Sequence, residues 1–303
     1  MRQSKTIGLI IISLIYLVTF LGCYFLYDVF ANIFKDKFSG SPLIIILILD
    51  VIATIIVFIF STIFKNSSIY DPYWSVAPIF MFLLYMIKMN CLTDPHILIM
   101  FALIVIWGVR LTYNWGYTFK NLDIQDWRYE NLRTKHPKTW PLINLAGIHL
   151  FPTIVVFVAM IPGFNYIERI CNNYLPTFGT YFGVVIALVA IIIETIADTQ
   201  MHRFRKNEIN KNAVNDRGLW KMCRHPNYFG EFLFWVGICM MGLSFLNDNT
   251  SDLLIFSPLV VFVMFVTISI PMMEKRQKEK RPEYKEYMER TPIIFPFGQR
   301  EKK

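Results

Sequence analysis

Charged residues are scarce in this chain of 303 residues. They make up 17% of the sequence, whereas a soluble domain carries about 25%. Hydrophobic residues make up 55%, so a soluble globular, disordered or collagen-like chain is excluded. Short segments of alternating polarity, which a membrane β-barrel requires, do not occur. The composition therefore predicts an all-α protein that crosses the membrane several times.

Cysteine and the common cofactor motifs are also scarce. The five cysteines form no CxxC pair and their number is odd, so we expect neither a structural disulfide nor a metal site. The motifs GxGxxG, GxxxxGK[ST] and HExxH are absent, which excludes a Rossmann turn, a P-loop and a zinc-protease helix. No internal repeat is evident, which argues against an inverted-repeat transporter.

Long apolar runs are the main positive feature of the sequence. A membrane-spanning helix needs about 20 apolar residues, and the runs predict a multi-pass transmembrane bundle of about eight spans, with seven as the alternative. The third and fifth runs are short and contain Pro78 and Pro152. The predicted spans are residues 7–30, 43–64, 76–89, 97–117, 148–164, 178–198, 229–245 and 253–273.

The distribution of Lys and Arg predicts the topology, because cytosolic segments carry an excess of both. With the N-terminus in the cytosol, 25 of the 30 fall on predicted cytosolic segments and 4 on the opposite side. Both termini are therefore predicted to be cytosolic, and the net charge of +8 requires no nucleic acid. We expect an integral protein of the endoplasmic reticulum if eukaryotic, or of the cytoplasmic membrane if bacterial. Its expected partners are the lipid bilayer and a hydrophobic small-molecule substrate.

The sixth predicted span carries four polar residues on one helical face. Glu194, Asp198, His202 and Arg205 occupy positions i, i+4, i+8 and i+11, which aligns them toward the cytosol. One interpretation is a salt-bridged helix end. The other is the wall of a ligand cavity, where the acids accept hydrogen bonds from ribose or amide groups and Arg205 binds a phosphate.

The seventh predicted span begins with a dense polar segment. Pro226 favours a helix start, and the free backbone N–H groups there, beside Arg224 and His225, favour anion binding. The alternative is an ordinary interfacial belt of basic and aromatic residues. The cofactor-binding side chains expected from this segment are Arg224, His225, Asn227, Tyr228 and Glu231.

Further polar clusters lie in the C-terminal tail and in the first half of the chain. The tail contains Arg276, Tyr284 and Tyr287, and its basic residues are also suited to lying on anionic lipid. Asp50 is the one charged residue on the second predicted span. Pairing with a neighbouring helix and a functional role are equally open interpretations of it. Arg110 within a span suggests a cavity, or a pairing with Asp50 or Asp71. The first-half clusters are Tyr-Asp-Pro-Tyr-Trp-Ser at 70–75, Arg-Leu-Thr-Tyr-Asn-Trp at 110–115 and Asp-Trp-Arg-Tyr at 126–129.

Together these motifs resemble the steroid 5α-reductase C-terminal family, and most closely its branch of unknown function. The resemblance covers about residues 70–297. It rests on Gly-Leu-Trp-x3-Arg-His-Pro-Asn-Tyr-Phe-Gly-Glu at 218–231, the Asp-x6-Arg helix at 198–205 and the Tyr-x2-Tyr tail at 284–287. The family is related to the isoprenylcysteine carboxyl methyltransferase-like membrane fold.

The resemblance implies NADPH-dependent reduction of an activated C=C bond in a steroid, sterol, enoyl or polyprenoid lipid. Residues 1–147 would form the substrate side and residues 148–303 the cofactor side. The steroid enzymes' Gln-Glu pair is not found here, so Asp71, Tyr73 and Tyr113 are the nearest candidates for polarising the carbonyl. The cofactor contacts that the family implies are Asp198, Arg205, Asn227, Arg276, Tyr284 and Tyr287.

Two alternatives remain open. Isoprenylcysteine carboxyl methyltransferases share Arg-His-Pro-x-Tyr, here residues 224–228, and an acidic pair that reads Met273-Glu274 in this chain. S-adenosylmethionine would then occupy the same cavity. The second alternative is a non-enzymatic lipid-binding or transport protein. The Asp-x6-Arg helix and the Asn-Tyr-Phe-Gly-Glu segment favour the reductase.

Overall fold

The computed structural model describes residues 4–35, 41–207, 213–243 and 252–299. Within these ranges all regular structure is helical, which confirms the predicted all-α fold. The helices are α1 (Lys5–Ile33), α2 (Pro42–Ile63), α3 (Tyr73–Lys88), α4 (Pro95–Thr118), α5 (Trp127–Lys135), α6 (Trp140–Cys171), α7 (Phe178–Lys206), α8 (Leu219–Met222), α9 (Pro226–Leu243), α10 (Leu254–Lys280) and α11 (Tyr284–Arg290).

Six of these helices, α1, α2, α4, α6, α7 and α10, are long and apolar enough to cross a membrane. This confirms a multi-pass protein. Helix α3 has 16 residues and is about 24 Å long, shorter than the roughly 30 Å hydrocarbon core. Helix α9 ends at Leu243, and the predicted end of this span at residue 245 lies outside the described residues. That α3 and α9 also cross, which would give eight spans, stays a prediction.

The fifth predicted span is longer than its sequence indicated. Helix α6 runs for 32 residues and contains a π-helical stretch at Ile143–Leu150. Pro152 follows directly, in the first turn of the next α-helical segment, where the missing N–H is tolerated. Pro152 therefore does not shorten this span, because a local change of helix type directly before it accommodates it.

Helix starts follow from short polar side chains that cap the free backbone N–H groups. The Asp94 carboxylate accepts from the backbone N–H groups of His96 (2.8 Å) and Ile97 (3.1 Å) at the start of α4. Asp126 accepts from the backbone N–H of Arg128 (2.9 Å) at the start of α5. Asp94 therefore begins a predicted span, and Asp126 begins the short helix α5 within the predicted cytosolic segment after α4.

The chain forms two compact units. Unit 1 comprises residues 1–158 and 167–174, and unit 2 comprises residues 159–166 and 175–303. In unit 2, helices α7 and α9 cross at glycine. A Cβ on Gly183 would lie 2.6 Å from the Gly237 carbonyl oxygen, and one on Gly237 would lie 2.7 Å from the Ala187 nitrogen. Small residues thus allow close helix packing where no hydrophobic effect drives helices together.

The expectation of no structural disulfide is wrong, because Cys91 and Cys171 are bonded, with Cα atoms 6.0 Å apart. Cys91 follows α3 and Cys171 ends α6, and both positions are predicted to lie opposite the cytosol. A disulfide suits that side, since the lumen of the endoplasmic reticulum and the periplasm are oxidising. The two residues are 80 positions apart, so sequence spacing gave no sign of the pair. The remaining cysteines are free and buried.

Candidate functional site

A buried ion cluster lies at the start of α9 in unit 2. Arg224 donates from Nε to the Glu274 Oε1 atom (2.7 Å), and His225 Nε2 lies 3.1 Å from the same oxygen. The side chains of Arg224 and Glu274 are only 6% and 9% exposed. Burial lowers the pKa of His225, and Glu274 opposes this shift. One carboxylate oxygen of Glu274 therefore contacts both basic residues of the Arg-His-Pro motif.

The C-terminal tail is tied to the same place. Arg224 also donates from Nη1 to the carbonyl oxygens of Met288 (2.7 Å) and Thr291 (2.8 Å). The backbone N–H of Arg224 donates to the Pro292 carbonyl (2.9 Å), and that of His225 to the Ile293 carbonyl (3.1 Å). Much of the hydrogen-bonding capacity of Arg224 is thus engaged by protein atoms. The geometry gives Arg224 a structural role, and its binding of a cofactor phosphate stays a prediction.

The two tail tyrosines, Tyr284 and Tyr287, are buried. Tyr287 donates to the carbonyl oxygen of Trp220 (2.5 Å), and the Trp220 indole N–H donates to the Ala197 carbonyl of α7 (3.0 Å). Burial raises the pKa of both Tyr284 and Tyr287. Helices α7, α8 and α11 are therefore joined by hydrogen bonds through Trp220.

The backbone conformation and the close packing at position 218 of the Gly-Leu-Trp motif require glycine. It has a φ of +59°, and a Cβ on it would lie 2.4 Å from the Gln200 side chain. The Gln200 Oε1 atom accepts from the backbone N–H of Leu219 (2.9 Å). Glycine here lets α8 start directly against α7.

The polar face of α7 changes from buried to exposed along the helix. Glu194 is buried, Asp198 and His202 are half-buried, and Arg205 is exposed. The Arg205 guanidinium is repelled by the guanidinium of Arg281 and attracted by the carboxylate of Asp198. The last turn of α7 and the end of α10 therefore form a cationic cluster, with Asp198 beside it.

Glu194 and Glu231 are both buried in unit 2. A Cβ on Gly230 would lie 2.3 Å from the Glu194 Cγ atom, so this acid lies against α9. Glu231, the next residue on α9, accepts from the indole N–H of Trp235 (3.1 Å). The α7–α9 packing thus places both predicted acids in the interior.

The remaining predicted cofactor residues lie around the start of α9 and on α10. The Tyr228 ring stacks on the His225 ring, with centroids 5.4 Å apart, and on the Phe265 ring at 4.4 Å. Asn227 is half-buried beside it, and Arg276 is half-buried on α10. That these side chains bind a cofactor stays a prediction.

In unit 1 the three first-half motifs meet at Asp71. Its Oδ1 atom accepts from the Tyr129 hydroxyl (2.5 Å) and from Arg128 Nη2 (3.4 Å). The Trp115 side chain also donates to this carboxylate. Burial raises the pKa of Asp71 to about 6, although Arg128, Tyr129 and Trp115 oppose the shift. Asp71 therefore joins the segment before α3 to α4 and α5, and Arg128 rather than Arg110 is its cation.

The other two predicted catalytic residues are in different surroundings. Tyr73 is buried and donates to the Asp50 Oδ1 atom (2.7 Å). Tyr113 is 73% exposed on α4, so it does not share the buried surroundings of Asp71 and Tyr73. The Asp50 carboxyl is paired with a phenol of α3 rather than with Arg110.

Several buried polar residues of unit 1 were not among the predicted site residues. His149 is fully buried, with Nδ1 2.8 Å from the Asn144 carbonyl oxygen and Nε2 3.0 Å from the Ser61 hydroxyl. Thr54 is hydrogen-bonded to Thr153 (2.9 Å). Their spacing could have indicated a polar helix face, since Asp50, Thr54 and Ser61 lie on one face of α2 at positions i, i+4 and i+11.

Comparison with known proteins identifies a family. Residues 57–291 match the family described as "Protein of unknown function (DUF1295)". An uncharacterized protein of Schizosaccharomyces pombe is 26% identical over 287 residues, covering 86% of this chain and 81% of that protein. A protein of Ustilaginoidea virens named "Probable O-methyltransferase ustE" is 34% identical over 68 residues, which is 22% of each chain. No solved structure matches.

Proposed function

The chain belongs to the DUF1295 family, and we propose that it is a membrane-embedded oxidoreductase that uses NADPH to reduce an activated C=C bond of a lipid-like substrate. The observation that carries this proposal is the cationic cluster of unit 2. Arg205 and Arg281 are within electrostatic range of each other, and Asp198 is within range of Arg205. Two guanidinium groups in one place suit a ligand with several phosphate oxygens. NADPH has such oxygens, whereas S-adenosylmethionine has no phosphate.

The acids of α7 fit the remainder of such a ligand. Asp198 lies beside the two arginines, and Glu194 lies one helical turn away from it. Carboxylates accept hydrogen bonds from ribose hydroxyls and from the nicotinamide amide. NADPH, when bound, supplies a hydride for the β-carbon of the activated double bond. In the chain itself Arg205 and Arg281 would bind the phosphates, and the second hydrogen of the product would come from a proton donor.

A binding assay tests the proposal without a known substrate. Purified protein in detergent would be heated with NADPH, NADP⁺, NADH or S-adenosylhomocysteine, and the unfolding temperature followed. A ligand at 100 times its Kd stabilises by about 2.7 kcal/mol. We expect NADPH and NADP⁺ to raise the unfolding temperature and S-adenosylhomocysteine to leave it unchanged. Stabilisation by S-adenosylhomocysteine alone would contradict the reductase.

A tracer assay then tests the reaction itself. The protein would be incubated with a total lipid extract and NADPH deuterated at C4 of the nicotinamide, and the lipids analysed by mass spectrometry. We expect a lipid product that carries one deuterium and is absent when heat-inactivated protein is used. This product would also identify the substrate class.

Methyl transfer is the second candidate function, because the similarity to the Ustilaginoidea virens protein favours it. The pairing of Glu274 with the Arg-His-Pro motif is compatible with both chemistries. Transfer of a labelled methyl group from S-adenosylmethionine to a lipid carboxylate or hydroxyl would establish it.

A further inference from the structure

The segment that follows α11, residues 292–298, is fixed against the start of α9 by backbone hydrogen bonds. We call this segment the tail loop. The carbonyl oxygens of Pro292 and Ile293 accept from backbone N–H groups of the Arg-His-Pro motif (2.9 and 3.1 Å). At the other end, the backbone N–H of Gly298 donates to the Met222 carbonyl oxygen (3.0 Å). The tail loop is therefore held at both of its ends within unit 2.

Most of the apolar side chains of the tail loop are exposed. Ile294 is buried, whereas Ile293, Phe295 and Phe297 are 44%, 39% and 85% exposed. Met222, to which the loop is bonded, is exposed as well. A single exposed apolar side chain is common in proteins. Several on one short, fixed loop are typical of an interaction surface.

The exposed rings of the tail loop continue onto the surface of two helices. The Phe295 ring contacts the rings of Phe229 on α9 (centroids 6.1 Å apart), Phe262 on α10 (5.8 Å) and Phe297 (5.9 Å). Phe262 lies 12 residues before Glu274, the first charged residue of α10, which is about 18 Å along the helix. The tail loop thus contacts the apolar part of a predicted span rather than its charged end.

The backbone of the tail loop is suited to a position near lipid, where an unbonded N–H group is costly. Pro292 and Pro296 have no backbone N–H. The N–H groups of Phe297 and Gly298 donate to carbonyl oxygens of the protein (2.9 and 3.0 Å). Four of the seven backbone positions therefore present no free N–H group. At the boundary between headgroups and acyl chains, water still reaches the remaining ones.

We propose that the tail loop anchors unit 2 in the bilayer, with Ile293, Phe295 and Phe297 inserted at the headgroup–acyl boundary of the predicted cytosolic leaflet. Aromatic side chains are enriched at this level of the membrane. Lys221 is exposed next to Met222, where it would attract anionic headgroups. The occupant of the patch is thus bilayer lipid. This anchor does not depend on which cofactor unit 2 binds.

Spin labelling measures the position of the tail loop directly. Phe297→Cys and Ile293→Cys would each be labelled with a nitroxide in nanodiscs of phosphatidylcholine and phosphatidylglycerol. Relaxation by O2, which concentrates among acyl chains, would be compared with relaxation by a neutral nickel chelate, which stays in water. We expect O2 to be the more effective reagent at both positions, at a depth of about 5–10 Å below the surface.

Two controls accompany these labels. Glu289→Cys, an exposed position on α11, should show the reverse order, with the chelate more effective than O2. The wild type should take up no label, because Cys23, Cys223 and Cys239 are buried.

A second pair of variants tests whether the apolar character of the loop is what holds it in lipid. With the label at position 293, Phe297→Asp should shift the relaxation toward the chelate, because a charge is disfavoured below the headgroups. Phe297→Leu keeps an apolar side chain and should leave the order of the two reagents unchanged. An equal effect of Asp and Leu would contradict the anchor.

Two further results would overturn the proposal. One is that the chelate is as effective at positions 293 and 297 as at 289, which would place the tail loop in water. The other is that neither reagent reaches the two labels, which would mean that protein covers the loop. Dipolar broadening between labels would then identify a second copy of the chain as the occupant.

Discussion

In unit 1 the buried polar groups are mostly hydroxyls, whereas in unit 2 they include charged groups tied to one another at helix ends. The buried hydrogen bonds of Tyr73, Tyr70, Thr54 and Thr153 in unit 1 include a single carboxyl, that of Asp50. The cluster of Arg224, His225 and Glu274 contains two basic groups on one acid. For these two clusters the difference agrees with their predicted depth, because a charge costs most at the centre of a span and less near its end. Neutral hydrogen bonds are therefore suited to the interior and ion pairs to the predicted cytosolic end.

The strongest test of the comparison removes the acid of unit 2. Glu274→Gln would leave Arg224 buried without its carboxylate, and loss of one partner of a buried pair destabilises by about 3–5 kcal/mol. We expect a lower unfolding temperature and faster proteolysis of the tail after residue 280. Glu279→Gln, an exposed acid on the same helix, is the control and should behave as wild type. Equal stability of the two variants would show that the cluster is not needed for folding.

Removing the covalent link of unit 1 is expected to have the next largest effect. Replacing Cys91 and Cys171 together by Ser should destabilise by about 2–4 kcal/mol, the usual contribution of a disulfide. A reducing agent should lower the unfolding temperature of the wild type and not that of the variant. Maleimide labelling of the wild type before and after reduction provides the count of free thiols. An unreduced wild type that already labels at Cys91 would contradict the bond.

Asp71 is a carboxyl just before α3 in unit 1, and its protonation is expected to change in the mildly acidic range. Its pKa is raised from 3.8 to about 6, so folding favours the protonated carboxyl. The resulting stabilisation is fully present below about pH 4 and is lost as the pH rises through about 6. The unfolding free energy of the wild type relative to Asp71→Asn should therefore fall over this interval by up to about 3 kcal/mol. A pH-independent difference would show that Asp71 is already ionised at pH 4.

The sequence predicted helices and helical faces well, because both depend on local periodicity. It predicted the alignment of Glu194, Asp198 and Arg205, and the start of α9 at Pro226. It did not predict which residues meet across the fold. Glu274 reaches Arg224 over 50 positions and Cys91 reaches Cys171 over 80, and no local pattern encodes such pairs.

Threonines within spans were missed for a different reason. A hydroxyl on a membrane helix can bond to the backbone of its own helix, as Thr195 does to the Ile191 carbonyl (2.7 Å). Such a bond does not indicate a contact with another helix. Thr153 also donates to a carbonyl of its own helix, that of His149 (2.9 Å), but Thr54 and Thr153 bond to each other across two helices (2.9 Å). Only the packing of α2 against α6 distinguishes the two cases.

The smallest expected effect concerns the proposed phosphate site of unit 2. Arg205→Gln should weaken NADPH binding about tenfold, or 1.4 kcal/mol, because one of two guanidinium groups facing phosphate oxygens is lost. NADH, which lacks the 2′-phosphate, should lose less. Arg203→Gln, an exposed arginine two residues earlier on α7, removes the same charge and should leave both affinities unchanged. Equal losses for NADPH and NADH would mean that Arg205 contacts no 2′-phosphate, and unchanged affinity for both would contradict a phosphate site at Arg205.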